Sequence, residues 1–358
     1  MRKSLLLASL MLLAVSLGCQ GEATPTPGVE TRSTPSESLM QPSPEVESNP
    51  SILQVVEYEV EEVLTLANRG SGRPSKQNVW IALIRSVPPY QQVRLMEITP
   101  DDYRPVTDEY GNQYAEFDLA DMPPGSETSI HIRYRIEVSG LAYDLSHCEE
   151  PVLPVQSAID AEILGDDLQP ELHIESNNVQ IIDLANELAE GKDTACEKAR
   201  AFYDYVGDNL IYTYNRADWG AQAALGEMGA DCTEYASLMI ALCRASGIPA
   251  RYVEGLAVPG EETKDSARTE HAWLDVYLPG SGWVPMDPTM GRFPISREDY
   301  FARILPNHII VTQGRNPSTL RGASYWTHIY WPGNSTEIRV EEFGWDIVPL
   351  NHQDLRNG

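Results

Sequence analysis

Basic residues are scarce in this chain: 26 Lys and Arg stand against 53 Asp and Glu in 358 residues, a formal net charge of -27. That deficit excludes a binding mode built on neutralising nucleic-acid phosphates. It also opposes adsorption to anionic lipid and capture of acidic substrates. Cysteine is sparse as well. Its five copies, Cys19, Cys148, Cys196, Cys232 and Cys243, contain no CxxC or CxxH spacing, so no metal site of the zinc type is expected. The apolar run from Leu5 to Leu17 is too short to span a bilayer comfortably, and no second apolar span or internal repeat follows.

What is present accommodates about two compact domains plus extra segments, at roughly 100–200 residues per domain. Hydrophobic residues make up 42 % of the chain and aromatics 8 %, enough for ordinary buried cores. Arg2 and Lys3 precede the first apolar run, and Gly18 precedes Cys19. Residues 1–18 thus read as an export signal. They resemble the lipoprotein kind, in which the cysteine is lipidated and becomes the first residue of the mature chain. Ser16 stands where that pattern usually has Leu, and Leu17 comes one place late; a plain secretory signal is the competing reading. Residues 19–50 are rich in Pro, Ser, Thr and Glu and read as a disordered tether. The expected location is the outer face of the cell membrane, with the membrane touched only through the N-terminal lipid.

Between residues 51 and 145 the pattern is one of short strands. Gln54–Val60, Val79–Ile84 and the alternating run Ser129–Val138 are separated by turn signals at Tyr110–Tyr114 and Pro123–Ser126. Spacing of this kind indicates an N-terminal all-β, sandwich-like domain. His131 falls in an alternating strand and reads as structural. A connecting segment spans 146–177. Helical periodicity begins only after about 178: Val179, Ile182, Ala185 and Leu188 share one face, and Ala195, Ala199, Phe202 and Val206 share another. The second domain is expected over 178–350, with the extended runs of the tail completing it, and 351–358 as a short end.

The chemistry concentrates in Gly229-Ala230-Asp231-Cys232-Thr233-Glu234. Asp231 and Glu234 form a D-x-x-E capping box. Tyr235, Leu238, Met239, Leu242 and Cys243 follow as an apolar stripe, and Gly247 and Pro249 stop the helix. Cys232 therefore lies in a first helical turn, where the partial positive charge favours thiolate and backbone N–H groups can meet an oxyanion. Cys243 lies in the stripe and reads as a buried structural cysteine. A nucleophilic thiol needs a base. His271–Leu278 alternates as a strand, Pro279-Gly280-Ser281-Gly282 is a turn, and Trp283–Met286 is a second strand ending at Asp287. A hairpin centred near Pro279 brings His271 and Asp287 to similar height. The carboxylate can then hold one imidazole nitrogen while the other faces the thiol.

These blocks resemble the transglutaminase-like superfamily of papain-like thiol enzymes. The matching blocks are Asp231-Cys232 with Gly247-Ile248-Pro249-Ala250-Arg251, then His271-Ala272-Trp273, then Pro279-Gly280-Ser281-Gly282-Trp283-Val284-Pro285-Met286-Asp287-Pro288-Thr289. The resemblance implies an α+β fold, with a helix bearing Cys232 as nucleophile on a sheet bearing His271 as base and acid and Asp287 as orienter. It implies thiol acyl transfer on peptide or glutamine amide bonds, more hydrolytic than cross-linking, with a peptide or protein as substrate. Tyr212, Tyr214 and Trp219 are candidate oxyanion or pocket residues beside the Cys232 N–H, with Trp219 preferred, and Glu234, Arg251 and Trp273 are structural supports. Animal members need calcium, but no Asp/Asn-rich loop resembles such a site; the expected cofactor and metal complement is none. With Cys19 lipidated and Cys232 free, Cys148–Cys196 is the favoured disulfide pairing. A non-catalytic surface binding module retaining the fold is the alternative.

Overall fold

The computed structural model describes residues 50–146, 148, 165–214, 220–226, 229–258, 269–320, 326–331 and 337–350. Cys19 and Trp219 lie outside these residues, as do the leader and the tether. Strand β1 (Ser51–Asn68) shows why the first region is sheet. Tyr58, Val60, Leu64 and Leu66 are buried at alternate positions, the period-2 placement of a pleated strand. It pairs antiparallel with β6 (Glu127–Ala142) on one side and β13 (Ile338–Pro349) on the other. Strands β3 (Gln91–Thr99) and β10 (Arg303–Ile304) join the far edge of β6. A second sheet orders β12 (Trp326–Trp331), β2 (Lys76–Leu83), β5 (Gln113–Asp118) and β4 (Arg104–Thr107). Apolar side chains of β1, β6, β2 and β5 share one core.

The tail meets expectation in β11 (His308–Gln313), which joins the sheet of the second half, and departs from it beyond residue 325. Rather than completing the C-terminal half, β12 pairs with β2 and β13 with β1. An extended run carries no mark of its partner, and the partner here lies almost the whole chain away.

The second half packs helices on a four-stranded antiparallel sheet. Its helices are α1 (Val179–Ala189), α2 (Ala195–Asn209), α3 (Gly220–Ala224) and α4 (Cys232–Ala245). Its sheet runs β11 (His308–Gln313), β7 (Ala250–Ala257), β8 (Glu270–Leu278), β9 (Gly282–Met286). Helix α2 buries Ala195, Ala199, Phe202 and Val206 as its periodicity predicts, with Tyr203 added. Helix α1 is turned relative to its predicted face. Ile181 and Ala185 are buried and Leu184 and Leu188 pack against the core, while Val179 and Ile182 are exposed. The 181/185 pair with 184/188 makes an equally regular i, i+4 face, so periodicity alone could not choose between them. Cys148 and Cys196 form a disulfide that ties the N-terminal end of α2 to the chain leaving β6.

Strand β11 joins the two halves. One edge pairs with β7. On the other, side-chain amides take the place of a further strand. Gln91 accepts from the Ile310 N–H (2.8 Å) and donates to the Ile310 carbonyl (2.9 Å). Asn112 does the same for Gln313, at 2.9 and 2.8 Å. Gly255 on β7 makes the close approach of β11 possible: a Cβ there would lie 2.0 Å from the Ile309 carbonyl oxygen and 2.6 Å from the Trp273 ring.

Candidate active site

Helix α4 opens as its sequence dictates. Asp231 is its N-cap, and the Asp231 N–H donates to Glu234 Oε2 at 2.9 Å while the Thr233 N–H donates to Asp231 Oδ1 at 3.0 Å. The reciprocal box takes up the N–H groups of Asp231, Thr233 and Glu234 and leaves out that of Cys232. Cys232 is the first helical residue and is partly exposed, whereas Cys243 is buried. Burial pushes the Cys243 thiol up to about 12, consistent with its expected inert, structural place in the stripe.

His271 is the second residue of β8, where it pairs with Gly255 of β7. Asp287 follows the last residue of β9. The hairpin between them pairs Leu278 with Gly282, so its centre is Gly280 and not Pro279. This one-residue shift leaves Asp287 beyond the last ladder pair, where its N–H donates to the Tyr300 carbonyl at 2.9 Å. Its side chain still reaches His271: Nε2 to Oδ2 is 2.7 Å. That contact occupies Nε2, which leaves Nδ1 to meet the Cys232 side chain, to which His271 is also hydrogen-bonded. The structure therefore brings Cys232, His271 and Asp287 together in the order that sequence predicts.

The electrostatics follow from burial and pairing. Burial of the His271 ring opposes its charged form, but the Asp287 carboxylate and the contact with Cys232 more than offset this and raise it to about 10. Burial likewise opposes charge on Asp287, yet His271 and the hydrogen bonds it accepts hold its carboxyl well below the usual carboxylate range. Every acceptor site of that carboxylate is used. Oδ1 accepts from the Thr289 and Met290 N–H groups, both at 2.9 Å. Oδ2 accepts from His271 and from a second histidine, His308, whose Nε2 is 3.1 Å away. A buried anion is stable only when satisfied in this way.

His308 was not among the predicted site residues. It is fully buried at the start of β11, with Nδ1 2.9 Å from Asn307 Oδ1 and its ring edge-on to Trp273 at 5.0 Å. A histidine opening an apolar strand, as His271 does, was the only signal available. The nearest side-chain nitrogens and oxygens of His271, Asp287 and His308 lie within 4.8 Å of one another, a spacing a metal ion could share. Both imidazoles, however, approach one carboxylate oxygen at hydrogen-bond distances while two amides fill the other. The group is complete as a proton-holding network.

The remaining predicted residues sort as follows. Trp273 is buried and stacks on His271 at 5.9 Å. Arg251 pairs with Asp275 at 2.9 Å and covers the Trp283 ring at 4.2 Å. Glu234 serves the capping box. Tyr214 is exposed. Tyr212 bridges to Ala230, two residues before the nucleophile. The Arg292 guanidinium sits over both the Tyr212 ring (4.7 Å) and the exposed Phe293 ring (4.2 Å).

Residues 182–288 match the model of the Transglutaminase-like superfamily. A protein-glutamine gamma-glutamyltransferase of Pseudomonas aeruginosa is 38 % identical over 134 residues, 36 % of this chain and 19 % of its own. An uncharacterized protein of Bacillus subtilis, YebA, is 31 % identical over 128 residues, 30 % of this chain and 17 % of its own. The chain thus spans under a fifth of the length of these two relatives. The crystal structure of a candidate cysteine protease from Cytophaga hutchinsonii superposes with a TM-score of 0.61 at 17 % identity, covering 84 % of this chain and 93 % of that one. It shares the fold.

Proposed function

With residues 182–288 as a transglutaminase-like core, we propose that this protein is a cysteine acyl-transfer enzyme acting on peptide or glutamine amide bonds. One observation carries the reading: the partly exposed Cys232 thiol at a helix start is hydrogen-bonded to an imidazole whose other nitrogen is 2.7 Å from a buried carboxylate. The Cys232 sulfur attacks the amide carbon, and the oxyanion that forms is met by the Cys232 N–H at the positive end of α4. His271, held protonated by Asp287, gives its proton to the leaving amine as the C–N bond breaks, and a thioester remains. Water or an acceptor amine then attacks the thioester. His271 takes up the proton of that water or amine as the C–S bond breaks, and the Cys232 sulfur leaves without one, which restores the starting pair.

We favour hydrolysis over cross-linking. Tyr212, which bridges to Ala230, and the Arg292–Phe293 pair that follows the Asp287 turn support a polypeptide substrate, since together they offer exposed apolar surface. Action outside the cytoplasm, with a lipid on Cys19, fits the leader and the Cys148–Cys196 disulfide. Labelling purified protein with iodoacetamide, with and without His271→Ala, tests the chemistry: Cys232 should react much faster in the parent. Equal, sluggish labelling of both would exclude an activated thiol. Mass analysis of a glutamine peptide, with and without added amine, separates the two outcomes of the thioester.

A further inference from the structure

The carboxylate that orients His271 is itself shared, and the sharing reaches into the N-terminal sheets. His308 Nε2 donates to the same Asp287 oxygen as His271 Nε2. The position of His308 is fixed from outside the thiol half. The Tyr90 hydroxyl donates to the His308 carbonyl at 2.6 Å, and the neighbouring Gln91 side chain clamps Ile310 on both backbone groups. Tyr90 and Gln91 are both buried. The His308 ring is confined by Trp273 at 5.0 Å, by Tyr300 at 5.8 Å and by Asn307. It can supply a hydrogen bond to Asp287 and cannot move away from it.

We infer that His308 is a positioning residue for the triad, and that Tyr90 and Gln91 seat it, so that the N-terminal sheets take part in building the active site. This rests on the catalytic reading above. A carboxylate held on Oδ1 by two amides can still turn about that anchor. A second donor on Oδ2 fixes the oxygen on the line to His271, and small errors on such a line cost rate. His308 itself is buried and its charged form is disfavoured by that burial. Its two ring nitrogens face Asp287 Oδ2 and Asn307 Oδ1, so the ring is held between two oxygens and steadies the carboxylate from there. The titratable groups packed around it are Asp287, His271, Tyr300 and, at its carbonyl, Tyr90.

The test is the rate of Cys232 alkylation by iodoacetamide against pH in the full chain. His308→Phe keeps a ring on Trp273 and removes the donor; His308→Gln keeps an N–H donor. The expected result for His308→Phe is a roughly 10- to 100-fold slower reaction near neutral pH, the range of one lost hydrogen bond to a charged group. Its alkaline limb should also move to lower pH, because His271 loses part of its hold. His308→Gln should recover most of the rate, and Tyr90→Phe should show a weaker change in the same direction. If His308→Phe does not fold, His308→Gln and Tyr90→Phe carry the test: a folded Tyr90→Phe with the parent profile overturns the proposal. A folded His308→Phe with the parent rate also overturns it, as does an upward shift of its limb at unchanged rate, since His308 would then only dilute the charge of Asp287. In all of these cases the parent reacts faster than His271→Ala. If it does not, the catalytic reading fails first and takes this proposal with it.

Discussion

Asp287→Asn changes one charge and almost no volume, so it isolates what the carboxylate does. An amide oxygen at Oδ1 can still accept from Thr289 and Met290. What disappears is the charge that offsets burial of the His271 ring, together with the acceptor that Oδ2 offers to His271 and His308, since an amide nitrogen donates. Moving His271 from 6.5 to about 10 corresponds to ~5 kcal/mol at about 1.4 kcal/mol per unit. Asp287 contributes more of this than the Cys232 contact does. Without the carboxylate, only the Cys232 contact stands against burial, and the imidazole falls back towards its ordinary value of 6.5. At 6.5, roughly 3 % of the ring carries a proton at about pH 8, so the population able to pair with a thiolate and protonate a leaving amine falls by up to roughly 30-fold. The assay is the alkylation rate of Cys232 across pH 5–11. The parent should hold a plateau through neutral pH and depart from it only as pH passes about 10, where His271 loses its proton. The variant should lose the plateau and climb with pH like an unassisted thiol. A plateau in Asp287→Asn matching the parent's in height and extent would refute the argument, because the imidazolium would then owe nothing to this carboxylate.

Two further outcomes follow from the same geometry. Because His271 is raised, its stabilisation of the fold is fully present below pH 6.5 and is lost as pH rises through about 10. Because Asp287 is lowered, its share is present above about 3.8 and is lost as pH falls further. The gap in melting temperature between the parent and Asp287→Asn should therefore be widest between these limits and shrink towards pH 10, as read by circular dichroism. Gly255→Ala forces a Cβ to within 2.0 Å of the Ile309 carbonyl and should destabilise by about 3 kcal/mol, at the upper end of core overpacking. Urea unfolding reads this, and an unchanged midpoint would mean that β11 can step aside.

Local pattern carried most of what was legible in the sequence. The Asp231–Glu234 box and the stripe behind it are contacts within one helix, so spacing reports them directly. The His271–Asp287 hairpin is nearly as local, and its one-residue shift came from the turn, where Gly280 and Gly282 both take left-handed φ. His308 was illegible because its meaning lies in a carboxylate twenty-one residues away and in Tyr90, across the chain. The return of β13 to β1 was illegible for a related reason: alternation shows that a strand has two faces and is silent about which neighbour it will find. The face of α1 failed differently, since its apolar residues satisfy two helical stripes and only packing selects one.

The amide clamps on β11 bear on any attempt to trim this protein. Excision of the thiol half at residue 178 would tear a seam, not cut a linker. The backbone groups of Ile310 and Gln313, now matched by Gln91 and Asn112, would be left as a bare strand margin, a template for pairing with another molecule. A smallest working fragment must therefore carry the stretch from Arg85 to Asn112 along with the nucleophile.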